Sequence, residues 1–195
     1  MEHKRSYATH IDARKSRSIA LTITVAIAAV IGVLAVTGSA ESAPTAALHG
    51  GKRAKVAANK RVVLAFIKDV LAEHHGDHAA RYMTPDIQFH AGTVGTVVGS
   101  ASVAGVLNGV VTAIPDLNPQ LQDIFGEGDE VVVRLVVSGT QTGALLGIPA
   151  SGRAVSWDAV DVYKLKGGKI SEEWAAEDLT AILNDTGTFK APWIP

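Results

Sequence analysis

The second half of this chain is a series of strand-like segments separated by glycine-containing turns, and this series limits the fold more than any other feature. The segments are Leu121 to Phe125, Val131 to Thr140, Ala154 to Leu165 and Ile170 to Ala176. Apolar and β-branched residues between turn residues indicate strands, and short turns such as Gly167-Gly168 join antiparallel neighbours. The pattern predicts a four-stranded antiparallel meander.

Helical patterns come before the meander. Asn59 is a good N-cap, and apolar residues from Val63 to Leu71 follow it at helical spacing. The remaining predicted elements are a short helix from Asp77, a short strand from Ile87 to His90, a helix from Ser100 and a C-terminal helix from Leu179 to Asn184. Helices followed by a meander predict an α+β fold, with helices packed on one face of a curved antiparallel sheet. Such an arrangement encloses a pocket of the kind that binds small molecules.

The first 40 residues are predicted to be an export signal or a membrane anchor. Basic residues occur up to Arg17, and an apolar run covers Ile19 to Val36. Small residues follow, and a signal peptidase would cleave after Ala40 or after Ser42. The apolar run is near the lower length for spanning a bilayer, so an uncleaved anchor stays open. Either alternative predicts an extracytoplasmic domain, secreted or anchored to the cytoplasmic membrane.

Residues 41–57 are rich in Ala, Gly, Ser, Pro and Lys without an apolar period, and we interpret them as a flexible linker. Residues 58–195 are the length of one domain with one core.

The composition excludes several classes of protein. The net charge is −1 and no basic block follows residue 17, so we expect no nucleic-acid partner. The chain has no cysteine and therefore no disulfide. His74, His75 and His78 are compatible with a metal site or a solvated turn; their spacing favours the turn, and we expect neither a metal nor a cofactor.

Asp178 is the first candidate for acid/base chemistry. By strand alternation it shares a face with Trp174 and Ala176, and the apolar parity predicts that this face is interior. A carboxyl group inside an apolar pocket acquires the raised pKa that suits a general acid or base. The alternative is that Asp178 is only the N-cap of the C-terminal helix.

Other side chains have two open interpretations each. His90 would orient a carbonyl group or be a core histidine, and Trp157 and Trp174 would form a flat pocket wall or simply fill the core. Gln141 would donate to a ligand oxygen or end a strand in water. Asp158 and Asp161 lie on opposite faces of one strand, so only one of them points inward.

An ordered set of motifs resembles the SnoaL-like polyketide cyclase (ester cyclase) family. The motifs are Pro115-Asp116-Leu117, Gly126-Glu127-Gly128-Asp129, Gly139-Thr140-Gln141-Thr142-Gly143, Leu146-Gly147-Ile148-Pro149, Gly168-Lys169-Ile170 with Glu173-Trp174, and Asp178. The resemblance covers Asn59 to Gly187. The sequence departs from the family pattern at Gln141, where many relatives carry a histidine.

This resemblance implies a cone-shaped α+β barrel of the NTF2-like superfamily, often dimeric, that needs no cofactor. It also implies an aspartate acid/base at Asp178, a cavity-facing histidine at His90 and a small hydrophobic ligand. Two functions follow. The first is a cyclase or isomerase of intramolecular aldol type, acting on a small apolar, polyketide-like carbonyl compound. The alternative is a non-catalytic, secreted or membrane-tethered module that binds a ligand or assembles as a homodimer.

Overall fold

The computed structural model describes residues 43–194, and within this range the chain forms three α-helices and six strands. The helices are α1 (Ala43–Phe66), α2 (Ser100–Ala113) and α3 (Leu179–Asp185). The strands are β1 (Met83–His90), β2 (Thr96–Val98), β3 (Asn118–Glu127), β4 (Glu130–Gln141), β5 (Arg153–Lys166) and β6 (Lys169–Glu177). A π-helical turn (Ile67–Ala72) continues α1, and 3₁₀-helices cover Gly76–Arg81 and Gly92–Val94.

The strands form one sheet in the order β2-β1-β6-β5-β4-β3. Strands β3 to β6 make the predicted antiparallel meander. Gly167 and Gly168 join β5 to β6, and both have positive φ, as a tight hairpin turn requires. The sheet is not wholly antiparallel, because β1 pairs with β6 in parallel. The long connection between these two strands lets them run in the same direction, which no local pattern could indicate.

The helices pack on one face of the sheet, as predicted. Along β4 the side chains alternate, with Val131, Val133, Leu135 and Val137 buried on the inner face. Val63 and Phe66 of α1, Val70 of the π-helical turn and Val103 and Leu107 of α2 belong to the same core. The architecture is therefore α+β, with an open curved sheet covered by helices.

The prediction for the start of the first helix was wrong. Helix α1 begins at Ala43, so 43–57 is helical rather than an irregular linker. Alanine and lysine are good helix formers, which explains helix in a segment without an apolar stripe. Asn59 is not an N-cap; it is buried within α1, and its Nδ2 donates to the carbonyl oxygen of Gly128 at 3.3 Å.

The predicted signal or anchor at residues 1–40 lies outside the described residues. Among residues 43–194, no helix is both long and apolar enough to cross a bilayer.

Candidate functional site

A pocket of about 570 Å³ lies between the inner face of the sheet and the helices. Its walls are mainly aliphatic and aromatic: Phe89 of β1, Leu107 and Val110 of α2, Leu135 and Val137 of β4, Trp157 of β5, and Leu179 and Ile182 of α3. A pocket of this size and lining suits a small, largely apolar molecule.

Besides Asp178, which is described below, three carboxyl groups interrupt this apolar lining: Asp161 of β5, and Glu173 and Glu177 of β6. Asp161 and Glu173 are each 3% exposed. Asp161 points inward because β5 alternates strictly, so that it shares the buried face of Trp157 and Tyr163. Asp158 is on the exposed face, which answers the question that the sequence left open.

A register shift in β6 turns the two glutamates inward. Lys164 pairs with Glu172, whereas the next residue, Leu165, pairs with Ile170, so Ser171 is an extra residue in β6. An extra residue exchanges the two faces of a strand, because side chains alternate with a period of two. Glu173 and Ala175 are therefore buried like Ile170, while Trp174 is 38% exposed. The prediction that Trp174, Ala176 and Asp178 share an interior face was wrong for this reason.

The pairing of β5 with β6 brings the three carboxyl groups together. Asp161 lies directly opposite Ala175, so Glu173 and Glu177 are its two diagonal neighbours on the same face. Diagonal neighbours are about 7–8 Å apart at Cα, within reach of long side chains. The small Ala175 lines the pocket beside these carboxyl groups.

Few protein groups satisfy these acids. The hydroxyl of Tyr163 donates to Oδ2 of Asp161 at 3.4 Å, and Nε1 of Trp157 donates to Oε2 of Glu177. The second oxygens, Oδ1 of Asp161 and Oε2 of Glu173, are buried without a hydrogen-bond partner among residues 43–194. Within that range no lysine or arginine lines the pocket. A buried oxygen without a partner is costly, and a proton or a bound ligand would remove that cost.

The environment keeps these carboxyl groups protonated to higher pH than usual. Burial raises the pKa of Asp161 well above its ordinary range, and the charge of Glu177 raises it further. Burial raises the pKa of Glu173 in the same way, and the charges of Asp161 and Glu177 add to this effect. Burial also raises the pKa of Glu177, but the hydrogen bond from Trp157 lowers it. Glu177 thus has an indole N–H donor for its ionised form, whereas Asp161 has the longer contact of 3.4 Å with the Tyr163 hydroxyl.

Asp178 is at the pocket rim, and its side chain is exposed. Its Oδ1 accepts from the backbone N–H of Ala181 at 3.1 Å, so Asp178 is the N-cap of α3. The observed contacts of Asp178 are therefore those of an N-cap, and an acid/base role for this residue stays a prediction.

His90 and Trp174 are neighbours on the outer face of the sheet. Their Cα atoms pair across β1 and β6, and the rings stack with centroids 5.4 Å apart. The His90 ring nitrogens bond Thr96 Oγ1 at 3.0 Å and Glu172 Oε1 at 3.2 Å. The expectation that His90 faces the cavity was wrong, because the adjacent Phe89 takes the inward position.

Gln141 fits neither of its two interpretations. It is fully buried at the end of β4, and its Nε2 donates to the carbonyl oxygens of Gly143 at 2.9 Å and Pro149 at 3.0 Å. Its Oε1 accepts from the N–H of Ser151 at 3.1 Å. Gln141 therefore holds the loop between β4 and β5. Trp157 lines the pocket, which agrees with the first of its two interpretations, a pocket wall.

Comparison with known proteins identifies the class of fold. A protein of Catenulispora acidiphila with a ketosteroid isomerase-like fold aligns at 16% identity and a TM-score of 0.57, over 69% of this chain and 97% of that one. AclR of Streptomyces galilaeus aligns at 25% identity and a TM-score of 0.61, over 69% of this chain and 99% of its own. TsrD of Streptomyces laurentii aligns at 26% identity and a TM-score of 0.61, over 68% of this chain and 97% of its own. A search of curated proteins gives no match.

The protein thus has the ketosteroid isomerase-like, or NTF2-like, fold with an acid-bearing apolar pocket. Residues 61–186 match the family model described as SnoaL-like polyketide cyclase. The chain belongs to that family, and this membership supports a function of cyclase or isomerase type.

Proposed function

We propose that this protein is a cofactor-independent cyclase or isomerase that acts on a small apolar carbonyl compound of polyketide type. The observation that carries the proposal is the buried carboxyl group of Asp161, which faces an apolar pocket and whose Oδ1 has no hydrogen-bond partner in the part of the chain that the structure describes. A carboxyl group kept neutral by an apolar site donates a hydrogen bond to a substrate oxygen, as a general acid does.

Glu177 is the proposed base. Its carboxylate accepts from Trp157, and a hydrogen bond to the charged form favours that form. Glu177 would remove a proton from the carbon next to a substrate carbonyl group, which produces an enolate. The enolate carbon then forms a bond to a second carbonyl carbon, while Asp161 gives its proton to that carbonyl oxygen. Asp161 is left ionised and Glu177 protonated, and return of the proton between these diagonal neighbours restores both groups.

Asp178 is the alternative candidate for the acid/base residue of the same reaction. It lies at the pocket rim next to Glu177 and is the aspartate that the family resemblance implies. Its exposure and its bond to Ala181 favour Asp161 as the principal acid. His90 and Trp174, on the outer face, have no part in this chemistry.

Deuterium exchange at an enolisable carbon tests the proposal with simple ketones in place of the natural substrate. Aryl ketones with one such carbon, for example α-tetralones, are incubated with the protein in D₂O, and loss of the C–H signal is followed by proton NMR. The wild type should accelerate exchange over buffer. Asp161→Asn and Glu177→Gln should each lower the enzymatic rate by about 10²–10⁴-fold.

The matched control is Asp158→Asn, which changes an exposed aspartate of the same strand and should keep the wild-type rate. Equal rates for Asp161→Asn and wild type would contradict the assignment of Asp161. If Asp178→Asn alone abolished exchange, the acid/base residue would be Asp178. Binding of the ketones without accelerated exchange would favour the non-catalytic ligand-binding module.

We also propose that the domain works outside the cytoplasm, on the basis of the basic and apolar pattern of residues 1–40. A fusion of residues 1–57 to an alkaline phosphatase that is active only after export should give active reporter. Inactive reporter at normal expression would contradict this location.

A further inference from the structure

Three potential metal ligands come together from the π-helical turn (Asp69), the first 3₁₀-helix (His78) and the segment that joins them (His75). Nδ1 of His75 lies 2.8 Å from Oδ1 of Asp69, and Nδ1 of His78 lies 3.0 Å from the same oxygen. The three ligand atoms all fall within 4.8 Å of one another. None of the three residues lines the pocket, so this cluster is separate from the carboxyl groups described above.

The backbone around the cluster has a special conformation. His74 has a φ of 61°, in the left-handed region that residues other than glycine seldom adopt. Gly76 packs so closely on α2 that a Cβ there would lie 2.3 Å from Cα of Asn108. These two residues flank His75 and fix the path of the turn. Strained backbone of this kind is found preferentially at ligand-binding sites.

A further side chain orients the carboxylate. The hydroxyl of Tyr82 donates to Oδ2 of Asp69 at 2.8 Å, which leaves Oδ1 facing the two imidazole rings. Tyr82 is itself held by edge-on packing against Phe66, with ring centroids 5.9 Å apart. Metal-binding carboxylates commonly have such a hydrogen-bonded supporting residue.

We propose that Asp69, His75 and His78 bind a divalent transition-metal ion, with Zn²⁺ as the best fit to two imidazoles and one carboxylate. Tetrahedral Zn²⁺ with bonds of about 2.0–2.1 Å places its ligand atoms about 3.3 Å apart. The contacts of 2.8 to 3.2 Å from the ring nitrogens to Asp69 need to widen by only a few tenths of an ångström. The His75 side chain is 48% exposed, so water can supply the fourth ligand.

Metal binding would replace the ring N–H donors of Asp69 by the ion. Without metal, the ring nitrogens act as hydrogen-bond donors to the carboxylate. With metal, each Nδ1 offers its lone pair to the ion, and the ring proton resides on Nε2 or leaves to solvent. Metal affinity should therefore fall as the pH is lowered.

Calorimetric titration with Zn²⁺ alone tests the proposal, on the full chain without a polyhistidine tag. Wild type should bind one ion that His75→Ala and His78→Ala no longer bind. Tyr82→Phe should weaken binding by about 10–100-fold, as loss of a supporting hydrogen bond does. The control His90→Ala removes a histidine outside the cluster and should bind as wild type. Co²⁺ should give the intense visible absorption of a tetrahedral complex, lost in the same variants.

Two results would overturn the proposal. One is no saturable binding by wild type at millimolar Zn²⁺, which would make the cluster a hydrogen-bonded turn only. The other is equal binding by wild type, His75→Ala and His78→Ala, which would locate the ion elsewhere. Circular dichroism confirms that each variant is folded, and His75→Gln replaces His75→Ala if the latter is not.

Discussion

Asp161 and Ala175 lie directly opposite each other across β5 and β6, and the pocket chemistry depends on this pairing. It places Asp161 between Glu173 and Glu177 and leaves space for a ligand above a methyl group. Any residue larger than alanine at position 175 would fill the space next to the acid. The position of the carboxyl groups in the pocket is thus a property of strand register.

Asp178 is expected to contribute more to stability than to catalysis. Asp178→Ala should lower the free energy of unfolding by about 0.5–2 kcal/mol, because it removes the N-cap of α3. Asp178→Ser retains a capping oxygen and should be nearly as stable as wild type. Urea unfolding of both variants measures the difference. A serine variant that is stable but inactive in the deuterium exchange would show that Asp178 is catalytic.

Trp157→Phe should alter the pH dependence of activity. The change keeps an aromatic pocket wall but removes the Nε1–H donor to Glu177, so the pKa of Glu177 should rise. The ionised base would then appear at higher pH, and the rising limb of the pH–rate profile should move in the alkaline direction. If the rate of Trp157→Phe were reduced but the rising limb of its pH–rate profile did not move, Trp157 would act only as a wall of the pocket.

The stability of the folded protein should decline as the pH rises above the ordinary pKa range of carboxyl groups. The pKa values of Asp161 and Glu173 are raised in the folded protein, so from about pH 4 upward the folded state binds more protons than the unfolded chain. The free energy of unfolding therefore falls until the folded-state pKa values are passed. Asp161→Asn should make this fall smaller, as measured by urea unfolding at a series of pH values. A stability that increases through this window and is unchanged in Asp161→Asn would contradict the account.

The loop between β4 and β5 should depend on Gln141. Gln141→Ala removes the donor and acceptor that hold Gly143, Pro149 and Ser151, and leaves buried backbone groups unpaired. We expect a loss of at least about 2 kcal/mol of unfolding free energy. The control Gln122→Ala, at an exposed position of β3, should change stability by less than about 0.5 kcal/mol. Equal effects of the two substitutions would show that these loop contacts do not stabilise the fold.

Much of the fold could be predicted from the sequence because the meander has strong local signals. The inward position of Asp161 was also accessible, since it follows from the unbroken alternation of β5. Glu173 and Glu177 were missed because the extra residue at Ser171 changes the parity of β6, and the sequence has no mark of it. His90 was misplaced because the family resemblance put it in the cavity, whereas the alternation of β1, with Ile87 and Phe89 buried, puts it on the opposite face.

Carbon-13 NMR titration of the side-chain carboxyl groups in the full chain tests the central claim most directly. Asp161→Asn and Glu173→Gln assign the resonances. The account predicts that Asp161 titrates well above the usual value of about 3.9 for an aspartate, and that its midpoint falls when Glu177 is changed to Gln. A midpoint for Asp161 at or below that usual value would mean an ordinary carboxylate, and the proposed acid in the pocket would be contradicted.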